Sequence, residues 1–526
     1  MLKVNSGSKI SRFSRTLRSD WVKHGADGRI HACTFWTATL LVWAFVVWRH
    51  NVSYLGLLVT THPLLAFVLT ICAGGTCLAG LYHFALQVFP TRVHTRPTMR
   101  SNETSPVAIL YTTKNDFVEA AATSCLTQSY GLVHIYILDD SEDLTIMQVI
   151  DDFHHRHTDR TSVVRRSTRT GFKAGNLNHA LSSIHKQYDF FAVCDADSVL
   201  PSQFIQETLP YFEDGSVAFV QTLQRAVPSS RSDTICRTLF RVTDAYWTEV
   251  VIRSEACGFL MFHGHGALVR TKAWRDAGGF PEVVSEDLAF STLVRTLGYR
   301  GALNVHSTCL ELFPATYEAL SRRQRKYVAG ACEHLRTHMM EFLTSDLVPR
   351  HEKLDRCVAV AVLLMPCWAG VSTLALSITS LTTFQAHSVI SSAVVSACCA
   401  MLLFLPLVRH LWREPVVLIK CAVAGAVVYL ALAFRATFDA ARALSTGKAS
   451  FPVTGATISC RNSTIRDLSV DAVGSLVCVW AIWKAHVYTA IPLLISVAIG
   501  NCIELVSRTT RADYVREQPN RAGLDS

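Results

Sequence analysis

The chain lacks the marks of several common binding chemistries. Its 17 cysteines are odd in number, form no C-x-x-C pair, and often lie inside apolar runs. That argues against a disulfide framework or a zinc-ligand set, and leaves buried thiols facing lipid or reducing cytosol. The central region holds no G-x-G-x-x-G and no G-x-x-x-x-G-K-[ST] pattern. A glycine-rich backbone is therefore not the main cradle for any diphosphate there. Charge is scarce: 17% of the 526 residues are Asp, Glu, Lys or Arg, against 50% hydrophobic. No small-residue cleavage site follows the basic N-terminal stretch, so an anchor is expected rather than a removed leader.

What is present is sorted along the chain. Apolar residues concentrate before residue 91 and after residue 357, and the middle has ordinary soluble composition. The net charge of +9 does not read as a nucleic-acid footprint, because its cations flank the apolar runs. Lys3, Lys9, Arg12, Arg15, Arg18, Lys23 and Arg29 precede the first run. Arg92, Arg96 and Arg100 follow the second, and Arg508, Arg511, Arg516 and Arg521 follow the last. Positive-inside flanking puts the N-terminus (1–29), the middle and the tail (508–526) in the cytoplasm.

Residues 30–48 are long enough to span, and 54–89 fit one tilted span with an interfacial extension. A hairpin of spans is expected at 357–381 and 387–408, and two short spans at 470–506. The expectation is a multi-pass protein, in the plasma membrane, with about six spans plus interfacial helices. Segment 416–437 does not fit, because Lys420 and Arg435 leave about 14 uncharged residues where ~20 are needed.

The middle alternates. VAILYTT (107–113), VHIYILDD (133–140), TSVVRR (161–166), DFFAVCDAD (189–197) and VAFVQT (217–222) read as strands. Helical stretches at 116–128, 143–154 and 173–186 separate the first four. This predicts an α/β domain with a mostly parallel sheet, whose ligands bind beyond the C-terminal strand ends. Acids gather at those ends: Asp116, Asp139, Asp140, Asp195 and Asp197. Two carboxylates with one residue between them suit a hard divalent cation whose shell is completed by phosphate oxygens, so Mg²⁺ or Mn²⁺ is expected at Asp195 and Asp197. In GGFPEVVSEDLAF, Glu286 and Asp287 open a helix, where acids are favourable. Asp287 is also a candidate general base for a hydroxyl acceptor. The histidines of DDFHHRHTDR (151–160) read as a solvated helix end.

The ordered pieces TTKNDF (112–117), ILDDSED (137–143), KAGN (173–176), CDADS (194–198), VQT (220–222), SED (285–287) and FPVTG (451–455) resemble the processive family-2 glycosyltransferases. These are the cellulose, hyaluronan and chitin synthases, and the SED and F-x-V-T forms are closest to bacterial-type β-glucan synthases. The resemblance implies a GT-A-type Rossmann-like cytosolic domain at 91–310, followed by interfacial helices with the acceptor motif at 311–356. N-terminal membrane helices would occupy 30–90, a membrane hairpin 357–408, an interfacial or re-entrant segment with a gating loop 409–465, and C-terminal membrane helices 466–507.

The resemblance also implies roles. Thr113, Asp116, Asp139, Asp140, Lys173 and Asp195 would meet the donor nucleotide, Asp195 and Asp197 the metal, and Asp287 would be the base. Glu286, His265, Arg323, Gln324, Lys326 and Tyr327 would serve acceptor and diphosphate. The family's Q-x-x-R-W motif is altered here: Arg323, Lys326 and Tyr327 stand at its three fixed positions. Phe451, Val453 and Thr454 would belong to a loop that closes over the nucleotide, so 416–437 should not span. The implied function is polymerisation of a sugar, glucose into a β-glucan, from a UDP-sugar, with translocation of the polymer. Hyaluronan or chitin synthesis, or a non-processive transfer to a lipid or short acceptor, is the alternative. The implied partners are the UDP-sugar donor, the growing polysaccharide and the lipid bilayer, without nucleic acid.

Overall fold

The computed structural model describes residues 59, 62–72, 74–75, 105–228, 232–379, 411, 414–449, 460–485 and 490–517. Its centre is an eight-stranded sheet of order β3-β2-β1-β4-β7-β6-β8-β5. The strands are β1 (Val107–Thr113), β2 (Val133–Asp139), β3 (Thr161–Val164), β4 (Phe190–Asp195), β5 (Ser198–Val199), β6 (Val217–Val227), β7 (Ala267–Arg270) and β8 (Arg300–Leu312). β1 pairs parallel to β2 and β4, β2 to β3, and β6 to β8. β7 runs antiparallel between β4 and β6, and β5 antiparallel to β8. The sheet is thus an α/β mixed sheet of GT-A type rather than a mostly parallel one.

The strands β1 and β4 read as near-continuous apolar runs because both faces are covered. Val107, Ile109 and Tyr111 pack into one core, and Ala108 and Leu110 into another on the opposite face. The register sets Thr112 beside Asp195 and Thr113 beside Asp139, so the polar strand ends share one rim.

Beyond the sheet the chain is helical. The helix Tyr317–Thr337 is followed by Met339–Thr344, Arg350–Leu363, Met365–Thr379, Pro415–Ala431, Ala433–Thr446, Cys460–Ala485 and Ala490–Glu517. Among the described residues no single helix is long and apolar enough to cross a membrane. Two bent pairs pass by length and composition together: Arg350–Leu363 with Met365–Ala375 at 60°, and Pro415–Ala431 with Ala433–Thr446 at 47°.

The expected straight span from 357 is therefore broken at Leu364. Pro366 has no N–H to give to the carbonyl of Val362, so the helix turns there. Trp368 Nε1 closes the corner by donating to Ala361 O at 2.9 Å. Segment 416–437 is two helices meeting at Leu432, and the bend leaves Arg435 buried with Asp471 and Glu504. Residues 30–48, 387–408 and the FPVTG stretch lie outside the described residues.

Candidate active site

Three loops converge at the rim. Asn115 takes the left-handed conformation (φ 61°), and its Oδ1 accepts from the N–H groups of Glu142 and Asp143 at 2.8 and 3.0 Å. The TTKND and DDSED loops are thereby hooked together. Asp116 accepts from Thr113 Oγ1 at 2.9 Å and from Lys114 N at 2.7 Å, and burial holds its carboxyl above the ordinary range.

Asp139 and Asp140 are committed to arginines. Arg165 Nε donates to Asp139 Oδ2 at 2.7 Å. Arg166 makes a bidentate pair with Asp140, Nε at 2.9 Å and Nη2 at 2.6 Å. The same guanidinium donates to the carbonyls of Thr170 and Phe172. These carbonyls flank Gly171, whose φ of 70° starts the helix Phe172–Ile184 that delivers Lys173. The φ of 70° favours glycine there, and a Cβ would meet only the movable carboxylate end of exposed Glu282.

Lys173 Nζ lies 2.5 Å from Asp195 Oδ1 and donates to Gly264 O at 2.9 Å. Thr112 Oγ1 adds a bond to Asp195 Oδ1 at 2.8 Å. Burial opposes both charges, but mutual attraction outweighs it: Asp195 sits below the usual carboxyl range and Lys173 above the usual ammonium range. Asp197 is open to the cleft. Burial by the surrounding walls, Asp195 and Glu311 together push it up to about 6.

An acid pushed up by a second acid beside it is an arrangement a cation would relieve. Among the described residues no group of three or more metal-type side chains exists. The pair therefore fits an ion that takes one or two protein carboxylates and completes its shell with phosphate oxygens and water. The histidines of 151–160 contribute nothing here: His154 and His155 end the helix Leu144–Arg156, and His154 bonds Thr161 Oγ1.

Opposite stand Glu286 and Asp287, in the first turn of the helix Glu286–Thr296. Glu286 is buried, and burial together with Asp287 pushes it up to about 7, against the pull of Lys173 and Lys326. Asp287 is raised by burial and opens toward the cleft. A Cβ built at Gly264 would stand 3.6 Å from both Asp287 Oδ2 and Lys173 Nζ, so the base candidate and the donor-side cation meet at this glycine.

The HGHG turn between them is held by a residue of the VQT motif. Gln221 Oε1 accepts from His263 N at 2.9 Å, and its Nε2 donates to His265 O at 3.1 Å. His265 bonds Ser198 Oγ at 2.9 Å and faces Glu311 at 3.6 Å. Burial alone would lower it, but the Cys309 and Glu311 hydrogen bonds and the Asp195 charge hold it well above the usual imidazole range.

The helix Tyr317–Thr337 closes the acceptor side. Arg323 lies 3.5 Å from Glu311 and over the Phe313 ring at 4.9 Å. Lys326 is exposed and acts on Glu286 and Asp287. Tyr327 is pushed up to about 12 by burial, with Arg323, Glu311, Asp287 and Asp197 nearby. Gln324 is half-buried on the same helix. Between these residues Arg325 turns inward, to Asp439 at 2.6 Å and Asp467 at 2.5 Å.

Sequence reasoning passed over Arg165, Arg166, Glu311, Arg325 and Gln224, whose Nε2 donates to His265 O at 3.1 Å. Paired arginines just beyond the end of β3 were the one legible signal, since a strand end facing two acids invites them. The gating residues Phe451, Val453 and Thr454 lie outside the described residues.

Residues 190–408 match the family model described as Glycosyl transferase family group 2. That stretch is therefore similar to the family-2 glycosyltransferases. Its curated relatives include glucomannan 4-beta-mannosyltransferase 1 of Oryza sativa subsp. japonica, 26% identical over 232 residues, covering 42% of this chain and 43% of that protein. Glucomannan 4-beta-mannosyltransferase 9 of Arabidopsis thaliana is 26% identical over 231 residues, covering 42% of each chain. The chain thus matches less than half the length of either relative. Among solved structures, the mannosyltransferase PcManGT from Pyrobaculum calidifontis, in complex with GDP-Man and Mn²⁺, aligns with TM-score 0.48 and 22% identity over 68% of this chain and 97% of that one.

Proposed function

We propose that the family-2 domain transfers a hexose from a nucleotide-sugar to the hydroxyl of a growing polysaccharide, with inversion. The observation that carries this is the facing of Asp195–Lys173 and Asp287 across Gly264. Lys173, with Arg323 and Lys326 on the opposite wall, would bind the diphosphate. A divalent cation held by Asp195 and Asp197 would neutralise charge on the departing nucleoside diphosphate. Asp287 would take the acceptor hydroxyl proton as the new O–C1 bond forms and the C1–O bond to diphosphate breaks. Burial already lifts Asp287 toward working pH, as a base requires. Tyr327 offers a ring for a sugar to stack on.

In this proposal the enzyme is a membrane-embedded polysaccharide synthase, and the long apolar runs and the two bent helix pairs support embedding. The gating loop at 451–455 and polymer translocation belong to the same proposal, supported by the F-x-V-T resemblance. For the donor, the motifs favour UDP-glucose, whereas the names of the two plant relatives favour a mannosyl donor. The test is a panel of UDP-glucose, UDP-N-acetylglucosamine and GDP-mannose with purified full-length protein, reading nucleoside diphosphate release, product length and linkage. Divalent-dependent formation of a β-linked hexose polymer is expected. Absence of transfer from every donor overturns the proposal, and single-sugar products overturn its processive part.

A further inference from the structure

The loop that leads into the proposed base is held from behind by a buried carboxylate with no place in the chemistry. Glu333 lies on the helix Tyr317–Thr337, past Lys326 and Tyr327, and is 4% exposed. Its Oε2 accepts from the backbone N–H of Val284 at 3.0 Å, just before Ser285, Glu286 and Asp287. Its Oε1 accepts from the backbone N–H of Ala449 at 3.0 Å. Ala449 follows Gly447, the left-handed cap of the helix Ala433–Thr446. One side chain therefore ties together three parts of the chain that are far apart in sequence.

The surroundings make this arrangement demanding. Val284 and Ala449, which donate to it, belong to one apolar cluster with Val328, Ala329, Cys332 and Ala440. A carboxylate there is costly unless both oxygens are bonded, and its bonds to backbone N–H are of the strong, charge-assisted kind. Glutamine could satisfy one amide only, because its other terminal atom is itself a donor. The same helix touches the base loop a second time. A Cβ at Gly330 would collide with Ser285 Oγ, so the two segments meet with no room between them.

We propose that Glu333 is a positioning residue that fixes the backbone ahead of Asp287 and makes its placement depend on the end of the helix Ala433–Thr446. The inference rests on the reading of Asp287 as the base. Lys326 and Tyr327 ride on the helix that holds Glu333, so one rigid element sets the acceptor wall and the base together.

The experiment compares Glu333→Gln and Glu333→Ala in the full chain, by steady-state kinetics and by amide hydrogen exchange at Val284 and Ala449. Glu333→Gln should lower kcat about 10-fold, the scale of one charge-assisted bond, with donor KM within about twofold. One of the two amides should exchange about 10-fold faster. Glu333→Ala should quicken both and lower kcat about 10²-fold, as a misplaced catalytic group does. Unchanged exchange at both amides in Glu333→Ala overturns the clamp, as does a rise in KM with kcat intact. Asp287→Asn serves as the control. If it retains full turnover, the base assignment falls, whatever the exchange shows. If it is inactive while Glu333→Gln exchanges and turns over as the parent does, the clamp alone falls.

Discussion

Lys173 and Asp195 form a 2.5 Å ion pair at the floor of the cleft, with side chains 23% and 30% exposed. Neither is free to act alone. The lysine also reaches Gly264 O, so it links the D-x-D strand end to the turn beside the base. A cation in this place can hold a diphosphate only while its own counter-ion remains in register. Lys173→Met should raise donor KM at least about 10-fold and lower kcat/KM further, since a charged binding contact is lost. Lys173→Arg should recover part of the affinity. Steady-state kinetics with varied donor checks both.

The acids opposite make stability depend on pH in a defined direction. Glu286 is pushed up to about 7, so the native state keeps a proton that the unfolded chain has already released. Stability from this source is complete below the unfolded glutamate value of about 4.3 and is lost as pH rises through about 7. Asp197, pushed up to about 6, acts in the same direction over a narrower window. Glu286→Gln cannot ionise. Its unfolding temperature should exceed that of the parent at about pH 8 and match it at about pH 4. Thermal unfolding across that range checks the sign, and a variant less stable at the alkaline end contradicts it.

The helix that presents Lys326 and Tyr327 is anchored by charge on its far side. Arg325 meets Asp439 and Asp467, and on the neighbouring turn of the helix Ala433–Thr446 Arg435 meets Asp471 and Glu504. Arg325→Met would leave two acids without their shared cation. Breaking such a buried set costs about 3–5 kcal/mol, so the unfolding midpoint should drop sharply. Adding Asp439→Asn and Asp467→Asn should recover much of the loss. No recovery in the triple variant would mean that the arginine contributes packing rather than charge balance.

Much of the sheet was legible in the sequence because its strands are doubly buried. VAILYTT is the strand Val107–Thr113 to the residue, and the predicted second and fourth strands end within two residues of the observed ones. β7 was not legible: four residues after a glycine-rich turn carry no period, and their antiparallel slot depends on the helix Thr234–Cys257 returning the chain. Site positions could be read where chemistry sits at strand ends, as at Asp195 and Asp197. The partners could not. At Asp139 and Asp140 the partners are Arg165 and Arg166, just beyond the end of β3. Nothing in the sequence around Glu333 names its partners, and only the fold brings Val284 and Ala449 to it.

The central claim is that Asp287 removes the acceptor proton in a site whose donor half is built separately, around Lys173 and Asp195. Asp287→Asn keeps the shape and abolishes proton acceptance. The direct measurement is donor binding by calorimetry beside single-turnover transfer, in the parent and in this variant. The account predicts nucleotide-sugar affinity within about twofold and transfer slowed at least about 10²-fold, the lower end for loss of a general base. Transfer at the parental rate, or weakened donor binding with the rate of the bound complex unchanged, would contradict it.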